Sequence, residues 1–305
     1  SSGLLISRAL VFTLIVLGSP SVMSQRYAGL SVDNDLYFGI DRYYSSGIFL
    51  KYGALKKHSK DSINYPLYSS KHWTLGQEIN TPSLRLTEDI DRIDYPYSGW
   101  LYIGYEQEYF KHLDFGYGWG IQLGTTGAEA SFAKFMQNTY HIYILNLPPL
   151  SWAYSIPQSF HINFETALYW GKQLKGSVRW VQENRIQLGT FRTAFQTRFG
   201  LQWGNLRGLS FFGQRLEIQD QGFSFFTGVM MAVNIHDYSL SGSLFESNSI
   251  YPLQAEGSRA TVQAGVMWHR SQWRFRTLFN YSSSYITTQR NKQHPYLNIS
   301  IFRLF

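Results

Sequence analysis

The last ten residues of the sequence, Tyr296-Leu-Asn-Ile-Ser-Ile-Phe-Arg-Leu-Phe305, alternate in side-chain character and end on a phenylalanine. That pattern is expected of the closing strand of a membrane barrel. A sheet that spans lipid finds no water to satisfy an open edge, so its final strand must be full-length and pair with its first. The same period of two recurs upstream. Over 115–124, Tyr117, Trp119, Ile121 and Leu123 alternate with Gly116, Gly118, Gly120, Gln122 and Gly124. Over 191–204, Phe191, Phe195, Phe199, Leu201 and Trp203 oppose Arg192, Gln196, Arg198 and Gln202. Successive strand residues face opposite sides, so each segment has one apolar, aromatic side and one small or polar side.

Composition separates this reading from a helical membrane protein. Aromatic residues make up 17% of the chain, with 26 glycines, yet the mean hydropathy is only -0.23. A wall with lipid on one side and water on the other needs only every second residue to be apolar, whereas a spanning helix needs about 20 in a row. The one continuous apolar run, Leu10 to Leu17, follows Arg8 and precedes Gly18, Pro20 and small residues around Ser21 to Ser24. This is the layout of a secretory signal, so residues 1–24 are expected to be a signal peptide and 25–305 the barrel. The chain has no cysteine, which excludes disulfides and thiolate metal sites. The net charge of +7 is spread through strands, as at Arg192, Arg198, Arg274 and Arg276. With no dense basic run, it argues against a nucleic-acid partner and for lumen-lining charge and anionic lipid.

Alternating segments lie near 26–37, 44–55, 71–79, 97–108, 114–124, 161–170, 188–204, 209–216, 222–235, 258–269, 272–285 and 295–305. They predict an all-β, transmembrane antiparallel β-barrel of about 12 strands. With both termini periplasmic, the connections at 38–43, 80–96, 125–160, 236–257 and 286–294 fall outside the cell. The links at 56–70 and 171–187 are then long for the periplasmic side.

Three polar clusters exceed what a passive wall needs. Val32-Asp-Asn-Asp-Leu36 ends the first strand, and Asp41-Arg-Tyr-Tyr-Ser-Ser-Gly47 leads into the second. Parity places Asp33, Asp35, Ser45 and Lys51 on the lumen side and Asn34 on the other. Such oxygen donors suit a hard cation such as calcium, although Asp and Asn also end strands without binding anything. In Ala128-Glu-Ala-Ser-Phe-Ala-Lys-Phe-Met-Gln-Asn-Thr-Tyr-His141 the period shifts toward 3.6. Phe132, Phe135, Met136 and Tyr140 form a stripe, which predicts a short extracellular loop helix packed over the barrel mouth. Gln137 and His141 share a neighbouring face. Histidine suits proton abstraction from water near neutral pH, and His161 and His269, with lumen parity, compete with His141 for that role. The third cluster is Gln158, Asn163 and Glu165, with Glu165 inside. No nucleophile elbow, metalloprotease histidine pair or phosphate-binding glycine loop is present.

These segments make the chain resemble the lipid A 3′-O-deacylase family of Gram-negative outer membranes, from about residue 29 to the C-terminus. The matching segments are Asn34-Asp-Leu-Tyr-Phe-Gly-Ile-Asp-Arg-Tyr-Tyr-Ser-Ser-Gly47, Thr81-Pro82, Asp91-Arg92, Pro96-Tyr-Ser-Gly-Trp-Leu-Tyr102, the Gln137 and His141 pair, and Ser239-Leu-Ser-Gly-Ser-Leu-Phe245. The resemblance implies a hydrolase of the outer membrane that removes the acyloxyacyl chain from the 3′ position of lipid A, with calcium as cofactor and lipopolysaccharide as partner. It implies a site between the inner wall and the loop helix. By carry-over, His141 is the general base, with Gln137 beside it. Asn34 and Asp35 belong to the calcium and substrate site, Ser45 occupies a family threonine or serine position, and Glu165 is the further acidic ligand. Arg92 and Lys51 are expected to bind substrate, Arg92 through a phosphate. The chain departs from the family pattern where Ile93, Asp94 and Tyr95 separate the Asp-Arg pair from Pro96, and where Ser151-Trp152 replaces a Gly-Trp. No oligomer is expected. Two other classes fit the barrel: an outer-membrane phospholipase, or a porin or adhesin without enzymatic activity. The lumen-parity residues Phe226, Met230, Met267 and Leu278 favour a plugged interior over a pore.

Overall fold

The computed structural model describes residues 24–58, 67–212, 221–243, 245 and 253–305; the expected signal peptide lies outside them, apart from Ser24. Twelve antiparallel strands close into one barrel: β1 (Ser24–Asn34), β2 (Tyr43–Lys57), β3 (Tyr68–Thr81), β4 (Ser98–His112), β5 (Phe115–Thr126), β6 (Phe160–Lys175), β7 (Val178–Gly189), β8 (Arg192–Gly204), β9 (Gly222–Asp237), β10 (Ser258–Arg270), β11 (Trp273–Ser283) and β12 (Gln293–Leu304). The last strand pairs with the first in the register Tyr27↔Leu304 to Asn34↔Leu297, so no edge is left open. One helix, α1 (Ala133–Tyr143), lies in the β5–β6 connection, and a single helical turn, α2 (Tyr238–Ser241), follows β9. The two longest connections, β5–β6 and β9–β10, lie at the end opposite the termini, which marks that end as extracellular, while the β8–β9 connection lies at the other end.

Two strand assignments differ from the expectation. The alternating run at 188–204 is the end of β7 and all of β8, folded back through the tight turn at Thr190 and Phe191. Alternation continues through so short a turn, so the sequence reads as one strand. At Gly189 a Cβ would lie 2.3 Å from the Ile162 carbonyl oxygen, so only glycine lets the chain turn against β6. The supposed link at 171–187 therefore holds a tight β6–β7 turn at Gly176 and most of β7. The segment expected as a strand at 209–216 is not one over residues 209–212, and its remainder lies outside the described residues. Leu209, Phe211 and Phe212 are apolar because they fill the lumen, packed with Phe110, Tyr169, Phe226, Met267 and Leu278.

The outer wall presents Leu50, Leu75, Ile103, Trp119 and Leu123 as exposed side chains, and outward rings contact across strands, as at Trp73, Tyr105 and Trp119. These residues face lipid. Above the apolar plug the lumen holds a cavity of about 400 Å³ walled by charge, including Lys51, Glu106, Arg185 and Arg276. Higher still, Trp100 stacks on Phe191 at 4.1 Å, and Tyr43, Tyr95 and Tyr285 pack together beneath the extracellular connections.

Candidate active site

The strand parity near the rim decides where the site lies. In β4, Trp100 and Tyr102 point inward, so Gly99 points out; in β3, Glu78 and Asn80 line the cavity, so Gln77, Ile79 and Thr81 point out. These outward residues are nevertheless buried, because the β5–β6 connection and α1 cover them. The Gln77 amide donates to the Ser131 carbonyl at 2.5 Å. Ala133 packs with Ile79, Tyr97, Leu150 and Trp152, and the Gln137 amide donates to the Thr81 hydroxyl at 2.8 Å. The helix at the mouth thus lies on the outer side of the rim. Its buried face is Ala133, Gln137 and His141, one residue per turn. The stripe Phe132, Phe135, Met136 and Tyr140, expected to pack on the barrel, is exposed. Periodicity finds a stripe but not what covers it; here small Ala133 allows the close approach. The helix ends before Pro148 and Pro149, consistent with their exclusion from helix interiors.

The first two strands bring their polar residues to this place by leaving regular pairing. β1 ends at Asn34, whose side-chain oxygen accepts from the Leu36 N–H at 2.7 Å. The chain then makes a 3-10 turn, Leu36–Phe38, closed by Gly39 in the left-handed region. Asn34 sits on the outward face, as simple parity implied, and that is the face α1 covers further round the rim. The β2–β3 register shifts between Tyr44 and Ser46. This bulge turns Ser45 from the expected lumen side toward Thr81, with their hydroxyls 3.0 Å apart, so Ser45, Thr81 and Gln137 form one hydrogen-bonded row.

Asp35 is fully buried. One carboxylate oxygen accepts from the Arg42 N–H at 3.0 Å, and the other has no partner among the described residues. Burial pushes the Asp35 carboxyl up to about 9; the Arg42 N–H opposes the rise and the nearby charge of Asp41 adds to it. His141 Nε2 lies 2.8 Å from Asp41 Oδ2, which also meets Arg85 Nη1 at 3.2 Å. Both His141 and Asp41 are buried, and His141 Nδ1 has no partner among the described residues. A carboxylate can only accept, so Nε2 carries a proton, and in the neutral ring Nδ1 is the nitrogen with the lone pair.

The other expected residues fall elsewhere. Glu165 meets Arg185 at 3.1 Å on the lumen wall, on the opposite side of the sheet from the face Asn34 and α1 occupy. Lys51 also lines the lumen. Arg92 is exposed in a 3-10 turn, its carbonyl accepting from Arg290. Of the competing histidines, His161 is in the lumen between the hydroxyls of Thr126 and Thr190. His269 lies near the β10–β11 turn at the end of the termini. Asp41, Arg85 and Thr81 carried no assignment from sequence. Asp41 stood inside a segment already singled out, but its pairing spans 100 residues.

Among the described residues no group of three or more acidic or histidine side chains is placed to hold a metal. Asp35 fits nonetheless: a buried carboxylate with one unmatched oxygen wants a proton or a cation, and the Asn34 amide oxygen is adjacent in sequence. Glu165, committed to Arg185, is not a companion ligand here.

A closed barrel with a lipid-facing aromatic wall, a plugged lumen and its two longest connections at one end defines an outer-membrane protein. The family model described as "Outer membrane protein LpxR" matches residues 5–305. The chain belongs to this family, the outer-membrane lipid A deacylases. LpxR from Salmonella typhimurium has the same fold at 18% identity, with a TM-score of 0.74 covering 92% of this chain and 100% of that one. The β domain of the Bordetella autotransporter BrkA is less alike, at 11% identity and TM-score 0.47 over 92% of this chain and 98% of that one. No curated protein matches by sequence.

Proposed function

We propose that this protein hydrolyses the ester of the 3′ acyloxyacyl chain of lipid A through a water activated by His141. The observation that carries the reading is the buried pair of His141 on α1 and Asp41 in the β1–β2 connection, with His141 Nδ1 unengaged among the described residues. Asp41 holds the ring with its proton on Nε2, and Arg85 holds Asp41. Nδ1 takes the proton as water attacks the ester carbonyl, and returns it to the sugar oxygen when the tetrahedral intermediate collapses. Gln137, tied through Thr81 to Ser45, fixes the helix face on which His141 stands. Asp35 and Asn34 would hold calcium, which when bound supplies positive charge for the developing oxyanion. Exposed Arg92 is free to meet a phosphate of the sugar head, while Lys51, facing the lumen, has no such access.

Mass spectrometry of lipid A from a Gram-negative host expressing the protein tests this. Wild type removes one acyloxyacyl unit; His141→Ala abolishes the loss, and Asp41→Asn slows it by about 100-fold or more with the barrel intact. Full activity of a folded His141→Ala protein would refute the assignment. Loss of an acyl chain from phospholipid instead would move the substrate to that class.

A further inference from the structure

The outward stripe of α1 is an apolar feature beyond the barrel wall that the proposed chemistry does not use. Tyr143 is 79% exposed, Phe135 65% and Phe132 58%, with Met136, Tyr140 and Ile144 also exposed. Six large apolar side chains in a continuous band on one short segment are more than a water-facing loop tolerates without a partner. Their position indicates which partner. The helix is seated on Gln77 and Gly99 of the outer wall, and the next outward residue down β3 is Leu75, paired with Ile103. Both are exposed members of the lipid-facing wall, and two residues along a strand is only about 7 Å. An α-helix with its side chains is about 10 Å across, so α1 stands directly above the lipid-facing band, with its buried face on the barrel and its apolar face pointing away from the protein.

We propose that the exposed stripe of α1 inserts into the outer leaflet at the boundary of headgroups and acyl chains, extending the lipid-facing wall over the outer flank of the site. This rests on the outer-membrane location and not on the identity of the reaction. Asymmetric helices with one apolar face lie in that boundary when the face has no protein to cover it. Anchored this way, α1 holds His141 at the level of the lipid head and tail junction, and a lipid ester reaches it sideways from the leaflet without entering the lumen.

The absence of cysteine makes the test direct. Phe135→Cys and Tyr143→Cys each carry a nitroxide label, with Glu129→Cys as the water-facing reference and Leu75→Cys as the lipid-facing one. In proteins reconstituted into phosphatidylcholine vesicles, collision with molecular oxygen is compared with collision with a water-soluble nickel chelate. Labels at 135 and 143 are expected to favour oxygen several-fold over the label at 129 and to approach the value at 75. Oxygen-to-nickel ratios equal to that at 129 would overturn the proposal, as would protection from both reagents with spin–spin broadening, which would assign the stripe to a second copy. No turnover enters the measurement, so its outcome stands apart from that of the deacylation assay.

Discussion

Replacing Gly99 with alanine tests whether the seat of α1 on the outer wall assembles the site. Gly99 has ordinary backbone angles, so alanine is not strained there by conformation. Its added Cβ would fall 2.0 Å from Ser131 Oγ and 2.4 Å from Ala133 Cβ. Ordinary contact begins at 3.4 Å, leaving shortfalls of about 1.4 and 1.0 Å. The serine hydroxyl can rotate away, but a methyl on the helix backbone cannot, so α1 must move outward by about 1 Å. A displacement of that size at a catalytic group costs on the order of 100-fold in rate. Overpacking costs about 1–3 kcal/mol, and it falls on a helix outside the barrel, so the strand register survives. Gly104→Ala in the same strand is the control, since its Cβ would meet nothing closer than 3.4 Å. The assay is initial-rate deacylation of lipid A in mixed micelles, beside the mobility of unheated samples on gels as a check of the barrel. Gly99→Ala is expected to lose tenfold to 100-fold in kcat while Gly104→Ala stays near wild type. A folded Gly99→Ala protein with wild-type kcat would show that the contact does not position His141.

Three further outcomes follow from the site and the lumen. Without a cation the Asp35 carboxyl keeps its proton up to about pH 9, against 3.8 ordinarily, so the folded form binds the extra proton and stability falls as pH rises across that window. Asp35→Asn should therefore melt above wild type in detergent with chelator at pH 8 and lose any stabilisation by calcium; a lower melting point in chelator would contradict the burial argument. Glu165→Gln leaves Arg185 paired with Glu183 and Glu106, so deacylation and its calcium response are expected to stay within about threefold of wild type. A loss of 100-fold or more would return Glu165 to the metal site. Planar bilayers should show no steady conductance for wild type and a measurable one for Phe211→Ser combined with Phe212→Ser, which thins the plug; an open current in wild type would restore the porin reading.

The barrel was legible because it is written in a period of two that lipid enforces on one face. The outward residues Trp119 and Leu123 and the inward Gly120 and Gln122 between them needed no tertiary knowledge. What the period could not show was where it fails or what covers a face. Continued alternation hid the turn between Gly189 and Arg192, and the apolar run at 209–212 read as a wall strand although it plugs the lumen. At the rim, parity placed Ser45 inside because it does not reveal the bulge at Tyr44 and Ser46, and it left Asn34 on a face that then had no role. His141, Gln137 and Asp35 carried chemical signals of their own, whereas Asp41, Arg85 and Thr81 acquire meaning only from contacts across strands.

The placement of the site on the outer side of the rim reconciles demands that a lumen site would set against each other. A lumen wide enough to admit a multi-acylated lipid head would have to give up the packing of Phe211, Phe212 and Phe226 below and of Trp100 on Phe191 above. Its acyl chains would also have to leave the bilayer to follow. With His141 of α1 facing Asp41 of the β1–β2 connection, outside the lumen, the barrel stays filled, and in the proposed reaction the lipid stays in its leaflet. The cost is that an outward polar cluster must be shielded from lipid, and α1 supplies the shield: it buries Gln77, Thr81 and His141 on one side while showing Phe135 and Tyr143 on the other. Exposed aromatics on the helix and buried polar residues on the wall are thus two sides of one requirement of the proposed hydrolysis, that water be used at the edge of hydrocarbon.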